Sequence, residues 1–210
     1  IELSFCKNAD EVDVEKTDGI IAVGRFLSAE LEKMKQLGIQ VLFVDSNPDP
    51  HEFNSIQPNL QMMVETAIEY FVQAGYQKIG FIGGRSWDST EGRNVLRDTR
   101  TRCFESRARE LGLFNQNYVF IGDNFSVDSG YQVGREIVEK GKDDLPQAFL
   151  VASDPLAVGV LQAFNENKLT VPEDVSMISI NDIDIAKYVS PPLTTFRIDT
   201  EELGKVAIET

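Results

Sequence analysis

Short, continuously apolar runs alternate with helical patterns along this chain, and that alternation restricts the possible folds more than any other feature. Strands that are apolar at consecutive positions are typical of parallel sheets, because helices cover both faces of such sheets. The regular alternation therefore predicts an α/β fold with parallel, doubly wound sheets. The predicted strands cover residues 3–5, 19–23, 41–44, 78–82, 118–121, 148–152, 175–180 and 195–198.

Helix boundaries are marked by glycine and by capping residues. The clearest helix is predicted over residues 60–74, where apolar residues recur at three- and four-residue intervals and form one buried face. Helices are predicted to end before Gly38, Gly75, Gly112 and Gly141, since glycine readily adopts the left-handed conformation found after a last turn. Asp154 followed by Pro155 predicts the N-cap and first position of another helix.

The charge balance disfavours nucleic-acid binding by this segment. Asp and Glu number 34 against 20 Lys and Arg, which gives a net charge of −14. Binding through phosphate contacts requires a basic face, and none is expected here. No apolar run approaches the roughly 18 residues that cross a bilayer, so no membrane partner is predicted.

The sequence lacks the patterns of catalytic, cofactor and metal sites. His51 is the single histidine and stands in a loop, so a Ser-His-Asp triad cannot be assembled. No glycine-rich dinucleotide or phosphate loop follows a strand, and Cys6 and Cys103 do not form a CxxC pair. We therefore predict no catalytic residue, no cofactor and no metal, and a binding protein rather than an enzyme.

Polar, aromatic and glycine residues follow the predicted strands at their carboxyl ends, where open parallel sheets bind ligands. Amides, carboxylates and arginines make directional hydrogen bonds, while aromatic rings add flat apolar surface. This set favours a small, neutral, hydroxyl-rich ligand. It includes Arg25, Asp45, Trp87, Phe125, Ser153, Asp154 and Asn181.

Several segments, in a fixed order, resemble the LacI/GalR family of bacterial repressors. The run Val151-Ala-Ser-Asp-Pro-Leu-Ala-Val-Gly159 is similar to that family's NDxxAxG segment, and Val171-Pro-Glu-Asp-Val-Ser to its VPedvs strand. Tyr188-Val-Ser-Pro-Pro-Leu-Thr-Thr195 resembles its PpLTT segment. The resemblance extends over essentially the whole chain. Within the family, the chain looks most similar to sugar-regulated members, especially those that respond to galactosides.

The resemblance implies a two-lobed, periplasmic-binding-protein-like core that is truncated at both ends. One lobe would comprise residues 1–57 plus 197–210 and the other residues 58–196. The helix-turn-helix DNA-binding domain of the family is absent from these residues, so operator DNA would be bound only through a missing N-terminal domain. The family further implies a cytoplasmic homodimer.

The resemblance also assigns roles to particular side chains. Asn181 stands where the family usually has a ligand-holding Asp, and Arg100 matches the cleft arginine. Phe125 matches the aromatic residue that covers the ligand, Ser153 a position commonly held by Asn, and Asp45 the polar residue from the first lobe. Arg25, Trp87 and Asp154 are weaker candidates for ligand binding.

Structural explanations compete with these assignments. Asp154 can cap a helix, Phe125 can be a core or hinge aromatic, and Asn181 can cap a turn. Asp45 can hold its own loop through its side chain, as Asp residues in turns often do.

The predicted function is that of an effector-binding and dimerisation core. A small sugar or glycoside bound between the lobes would favour their closure and so change the affinity for operator DNA. The alternative is a periplasmic sugar-binding protein of a transporter, with the same fold and cleft. A helix-turn-helix before Ile1 would indicate the regulator, and an apolar signal segment the transporter.

Overall fold

A computed structural model describes residues 2–88, 93–95, 98–141 and 144–210, without the side chains of residues 86–88 and 93–95. These residues fold into two compact units. The first unit contains residues 2–58, 87–88, 93 and 199–210, and the second contains 59–86, 94–95, 98–141 and 144–198. Within the described ranges, none of the helices combines the length and apolar character needed to cross a membrane.

Ten strands and six α-helices are described below by number in chain order. The strands are β1 (Gly19–Val23), β2 (Gln40–Val44), β3 (Asn54–Ile56), β4 (Ile79–Gly84), β5 (Ser86–Asp88), β6 (Arg93–Val95), β7 (Val119–Gly122), β8 (Ala148–Val151), β9 (Ser176–Asn181) and β10 (Thr194–Arg197). The helices are α1 (Ser28–Gln36), α2 (Leu60–Gln73), α3 (Thr99–Glu110), α4 (Val127–Glu139), α5 (Asp154–Glu166) and α6 (Thr200–Glu209).

The first unit has a parallel sheet of three strands in the order β1-β2-β3. Phe43 on the central strand is fully buried and organises the core of this unit. The rings of Phe26 and Phe53 meet it edge-on, with centroids 5.7 and 4.9 Å away. Such edge-to-face pairs add about 0.5–1.5 kcal/mol each beyond the area that they bury.

The second unit has a five-stranded sheet in the order β10-β9-β8-β4-β7, with all neighbours parallel. The chain enters at β4, moves outward to β7, and then crosses back to β8 on the other side of β4. Right-handed crossovers in opposite directions place α3 and α4 on opposite faces of the sheet. The point of reversal, between β4 and β8, is where open α/β sheets bind ligands.

The core of the second unit explains why its central strands are apolar at every position. All residues of β4 and β8 are buried, as expected for strands covered on both faces. Phe81 on β4 stacks on Phe104 of α3, with ring centroids 5.0 Å apart. On the other face, α4 and α5 pack so closely that a Cβ at Gly159 would lie 2.0 Å from the carbonyl oxygen of Val127.

The sequence predicted most of these elements, but one predicted strand is wrong and three short strands were not predicted. The predicted helix ends are confirmed, because a glycine with positive φ follows each of these helices: Gly38, Gly75, Gly112 and Gly141. The strand predicted over residues 3–5 is wrong: this segment has no regular structure, and Phe5 is 99% exposed. Without a neighbouring strand among the described residues, its apolar pattern has nothing to pair with. The three-residue strands β3, β5 and β6 were not predicted, because their residues carry no periodic apolar signal.

Candidate ligand-binding site

Gly84, at the carboxyl end of β4, lets another loop approach the end of this strand. A Cβ at Gly84 would lie 2.4 Å from the carbonyl oxygen of Asn124 and 3.1 Å from the ring of Phe125. Any larger residue would force the loop that follows β7 to move away. The glycine therefore allows Phe125 to lie over the end of β4.

Phe125 and Arg100, both predicted from the sequence, are brought together there. The guanidinium carbon of Arg100 lies 4.4 Å from the ring centroid of Phe125, which is a cation–π distance. Phe125 also packs partly against the hydrophobic core and is only half-buried. It is thus both a core aromatic and a partner of the predicted arginine.

Hydrogen bonds fix the guanidinium of Arg100 in one orientation. Its Nε donates to Oδ2 of Asp98 at 2.8 Å, Nη2 donates to the same oxygen, and Nη1 donates to the carbonyl oxygen of Ala152 at 2.7 Å. A guanidinium carries five N–H groups. Among the described residues, three of these are engaged and the other two remain available to a ligand.

Asp98 is a residue of this site that the sequence reasoning missed. It is 6% exposed and is the N-cap of α3, where Oδ1 accepts from the backbone N–H of Thr101 at 3.2 Å. Its other oxygen holds Arg100. The available signal was an Asp immediately before a helix and two residues before the candidate arginine.

Ser153 follows β8, next to the point where the strand order reverses. It is 3% exposed, and its hydroxyl has no hydrogen-bond partner among the described residues. It is also the N-cap residue of α5, with an extended backbone (φ −158°, ψ 155°), yet its side chain makes no capping bond. Since buried polar groups are nearly always hydrogen-bonded, this hydroxyl is suited to a partner from outside the protein.

Asp154, the next residue, is fully buried and has partners within the protein. Its Oδ1 accepts from the hydroxyls of Ser179 and Thr195, and its Oδ2 accepts from the backbone N–H of Ile183 at 2.9 Å. The prediction that Asp154 is the N-cap is wrong by one residue, since α5 begins at Asp154 and Ser153 precedes it. The carboxylate instead ties the start of α5 to β9, β10 and the loop after β9.

Asn181 is the last residue of β9 and has an unusual backbone. Its φ is 130°, and that of Asp182 is 57°, a pair of positive values in residues other than glycine. Such conformations cost on the order of 1–3 kcal/mol each and persist where the surrounding structure imposes them. The carbonyl of Asn181 accepts from the N–H of Ile198 at 3.2 Å, and its side chain is half-buried.

Two of the predicted residues lie at strand ends of the first unit. Asp45 follows β2 with φ 65°, is exposed, and donates its backbone N–H to the carbonyl of Ile56 at 3.0 Å. Arg25 is exposed after β1 and Gly24. Trp87 lies in β5, and its side chain is outside the part of the chain that the structure describes.

Two surface depressions lie away from these residues. One, of about 440 Å³, is lined by residues such as Lys35, Glu52 and Phe53 near the amino ends of β2 and β3. The other, of about 270 Å³, lies between α2 and α3 beside Cys103, and burial raises the pKa of that thiol.

Over the described ranges, no three His, Cys, Asp or Glu side chains group closely enough to hold a metal ion.

Comparison with known proteins identifies the family. The periplasmic binding protein-like domain family matches residues 68–210. The chain is 40% identical over 211 residues to the HTH-type transcriptional regulator GanR of Bacillus subtilis, covering all of this chain and 64% of that protein. It is 41% identical over 194 residues to the HTH-type transcriptional regulator LacR of Lactobacillus helveticus, covering 91% of this chain and 57% of that protein.

The chain belongs to the periplasmic binding protein-like family, in its LacI/GalR group. A solved structure of a LacI-family regulator from Lactobacillus casei with bound sucrose has the same fold, with a TM-score of 0.78 at 19% identity, over 96% of this chain and 72% of that one. The α/β fold with parallel sheets and the predicted family are thereby confirmed. The chain spans 57–64% of the length of the two named relatives.

Proposed function

We propose that this chain is the effector-binding and dimerisation core of a sugar-responsive transcriptional repressor, and that it acts by binding without catalysis. The observation that carries the proposal is the unpartnered, buried hydroxyl of Ser153. It lies at the strand-order reversal, where Arg100 donates a hydrogen bond to the carbonyl oxygen of Ala152, the residue before Ser153. The two named relatives are helix-turn-helix-type regulators, which favours a regulator over a transporter component.

A sugar suits the donors and acceptors at these strand ends. Its hydroxyl groups both donate and accept, so they can satisfy the Ser153 hydroxyl, the amide of Asn181 and the remaining N–H groups of Arg100. Its apolar face can pack against the exposed part of Phe125. A ligand that lacked a matching hydroxyl would leave a buried group unpaired at a cost of about 1–3 kcal/mol. The LacI-family structure from Lactobacillus casei holds sucrose.

We propose that Asp45 of the first unit completes the sugar site and couples it to DNA binding. A ligand held by both units stabilises the arrangement in which both reach it, and so shifts the population toward that arrangement. In a homodimer, this shift would change the spacing of two DNA-reading domains that precede the core. A coupling free energy of about 1–3 kcal/mol corresponds to a 5–150-fold change in operator affinity.

Calorimetric titration with galactosides, glucosides, pentoses and sucrose tests the proposal. At least one of these sugars should bind the purified protein, and Asn181→Ala should weaken that binding about tenfold or more, because the proposed contacts between its amide and the sugar hydroxyls are lost. Asn117→Ala is the matched control, since Asn117 is exposed and precedes β7 at the opposite edge of the sheet. Equal affinities in a folded Asn181→Ala variant and the wild type would show that the site is misplaced.

A further inference from the structure

We propose that Asp98 restricts the site to uncharged sugars, because its carboxylate cancels the charge of Arg100 where a phosphorylated or acidic sugar would otherwise be held. The inference rests on the proposed function and names the substrate class of the same site. It follows because each of the two buried sources of positive charge at these strand ends, the guanidinium of Arg100 and the N-terminus of α5, has a buried carboxylate beside it.

The guanidinium of Arg100 is compensated at close range. Its side chain and that of Asp98 are only 13% and 3% exposed, so water screens the pair weakly. Asp98 is held in place by Thr101, whose N–H and hydroxyl both donate to Oδ1 at 3.2 and 3.3 Å. Arg100 therefore offers a ligand two N–H donors in a fixed plane, and the Arg100–Asp98 pair carries little net charge.

The N-terminus of α5 is compensated in the same way. Helix N-termini attract anions because their first N–H groups and the helix dipole point outward. Pro155 removes one of those N–H groups, and the fully buried carboxylate of Asp154 already lies in the first turn. A phosphate placed beside Ser153 would meet this negative charge in a poorly hydrated site.

Among the side chains that the structure describes, the remaining charges at the same strand ends provide no surplus of positive charge. Arg85 and Arg197 are balanced in number by Asp123 and Asp182, and Arg85 lies 3.3 Å from Asp123 in an exposed ion pair. The net charge of −14 over the whole chain adds a long-range repulsion of anions. The unpartnered hydroxyl of Ser153 and the two N–H groups of Arg100 are thus matched to neutral hydroxyl groups.

The test compares neutral sugars with their phosphates on the wild type and on Asp98→Asn. Calorimetry at constant ionic strength would use glucose, galactose and sucrose, together with the 1- and 6-phosphates of glucose and galactose. The wild type should bind its preferred neutral sugar at least about tenfold more tightly than any of the phosphates, from charge repulsion at short range. Asp98→Asn should reduce that preference at least about tenfold, since Arg100 then carries an uncompensated charge.

Two further variants separate charge from structure. Asp98→Ser also removes the charge and keeps a good N-cap residue, so it should shift the preference in the same direction if the asparagine variant folds poorly. Asp123→Asn makes the same charge change at a residue whose side chain is 87% exposed, and should change the preference less than about threefold because solvent screens it.

Each outcome has a separate meaning for the two proposals. A wild type that prefers a sugar phosphate would overturn this inference and leave the sugar-binding function intact. A wild type that binds none of these compounds would contradict the proposed function itself. Equal weakening of neutral and phosphorylated sugars in both Asp98 variants would show that Asp98 only supports the fold, and would also overturn the inference.

Discussion

Ser153 and Asp154 are adjacent, both are almost fully buried, and they have opposite hydrogen-bonding states. The carboxylate of Asp154 accepts from three donors of the protein, on β9, on β10 and in the loop after β9. The hydroxyl of Ser153 has no partner among the described residues. The difference separates two tasks at the start of α5: Asp154 holds the surrounding strands in place, and Ser153 is the residue that we propose contacts the ligand.

The largest expected effect is that of Asp154→Ala on stability. Its removal leaves two hydroxyls and one backbone N–H without an acceptor, each at a cost of about 1–3 kcal/mol. Because hydroxyls can reorient, we expect a loss of about 3 kcal/mol in the free energy of unfolding, measured by urea denaturation. Asp123→Ala, on an exposed side chain, should change it by less than about 0.5 kcal/mol. A loss below about 1 kcal/mol in Asp154→Ala would contradict the role of Asp154 in holding the surrounding strands in place.

Ser153→Ala should have little effect on stability and a clear effect on sugar affinity. Removing an unpartnered buried hydroxyl costs no hydrogen bond, so the free energy of unfolding should stay within about 0.5 kcal/mol of the wild type or rise slightly. The affinity for the preferred sugar should fall about five- to tenfold, as for one lost hydrogen bond. Calorimetry and urea denaturation on the same preparation measure both. A clear loss of stability with unchanged sugar affinity would mean that Ser153 has a structural role.

Sequence patterns located these strand ends because the strands are continuously apolar and their ends are polar. They could not assign the two residues at the start of α5, since Ser and Asp are both good N-cap residues. Pro155 favoured Asp154 as the cap. The choice was decided by partners distant in sequence, Ser179 and Thr195, which no local pattern reveals. Asp98 was missed for the same reason: its contact with Arg100 depends on the fold.

The smallest expected effect tests whether the Asp154 network acts as a unit. Ser179 is fully buried and donates to Asp154, so Ser179→Ala should cost about 1 kcal/mol of unfolding free energy, the value of one buried hydrogen bond. In the Asp154→Ala background the acceptor is already gone, and the same substitution should cost less than about 0.3 kcal/mol or restore some stability. The double-mutant cycle, measured by urea denaturation, gives the coupling directly. Additive losses would mean that Ser179 contributes to the stability of the protein through packing alone. Asp154 would then position the end of β9 only through Thr195 and Ile183.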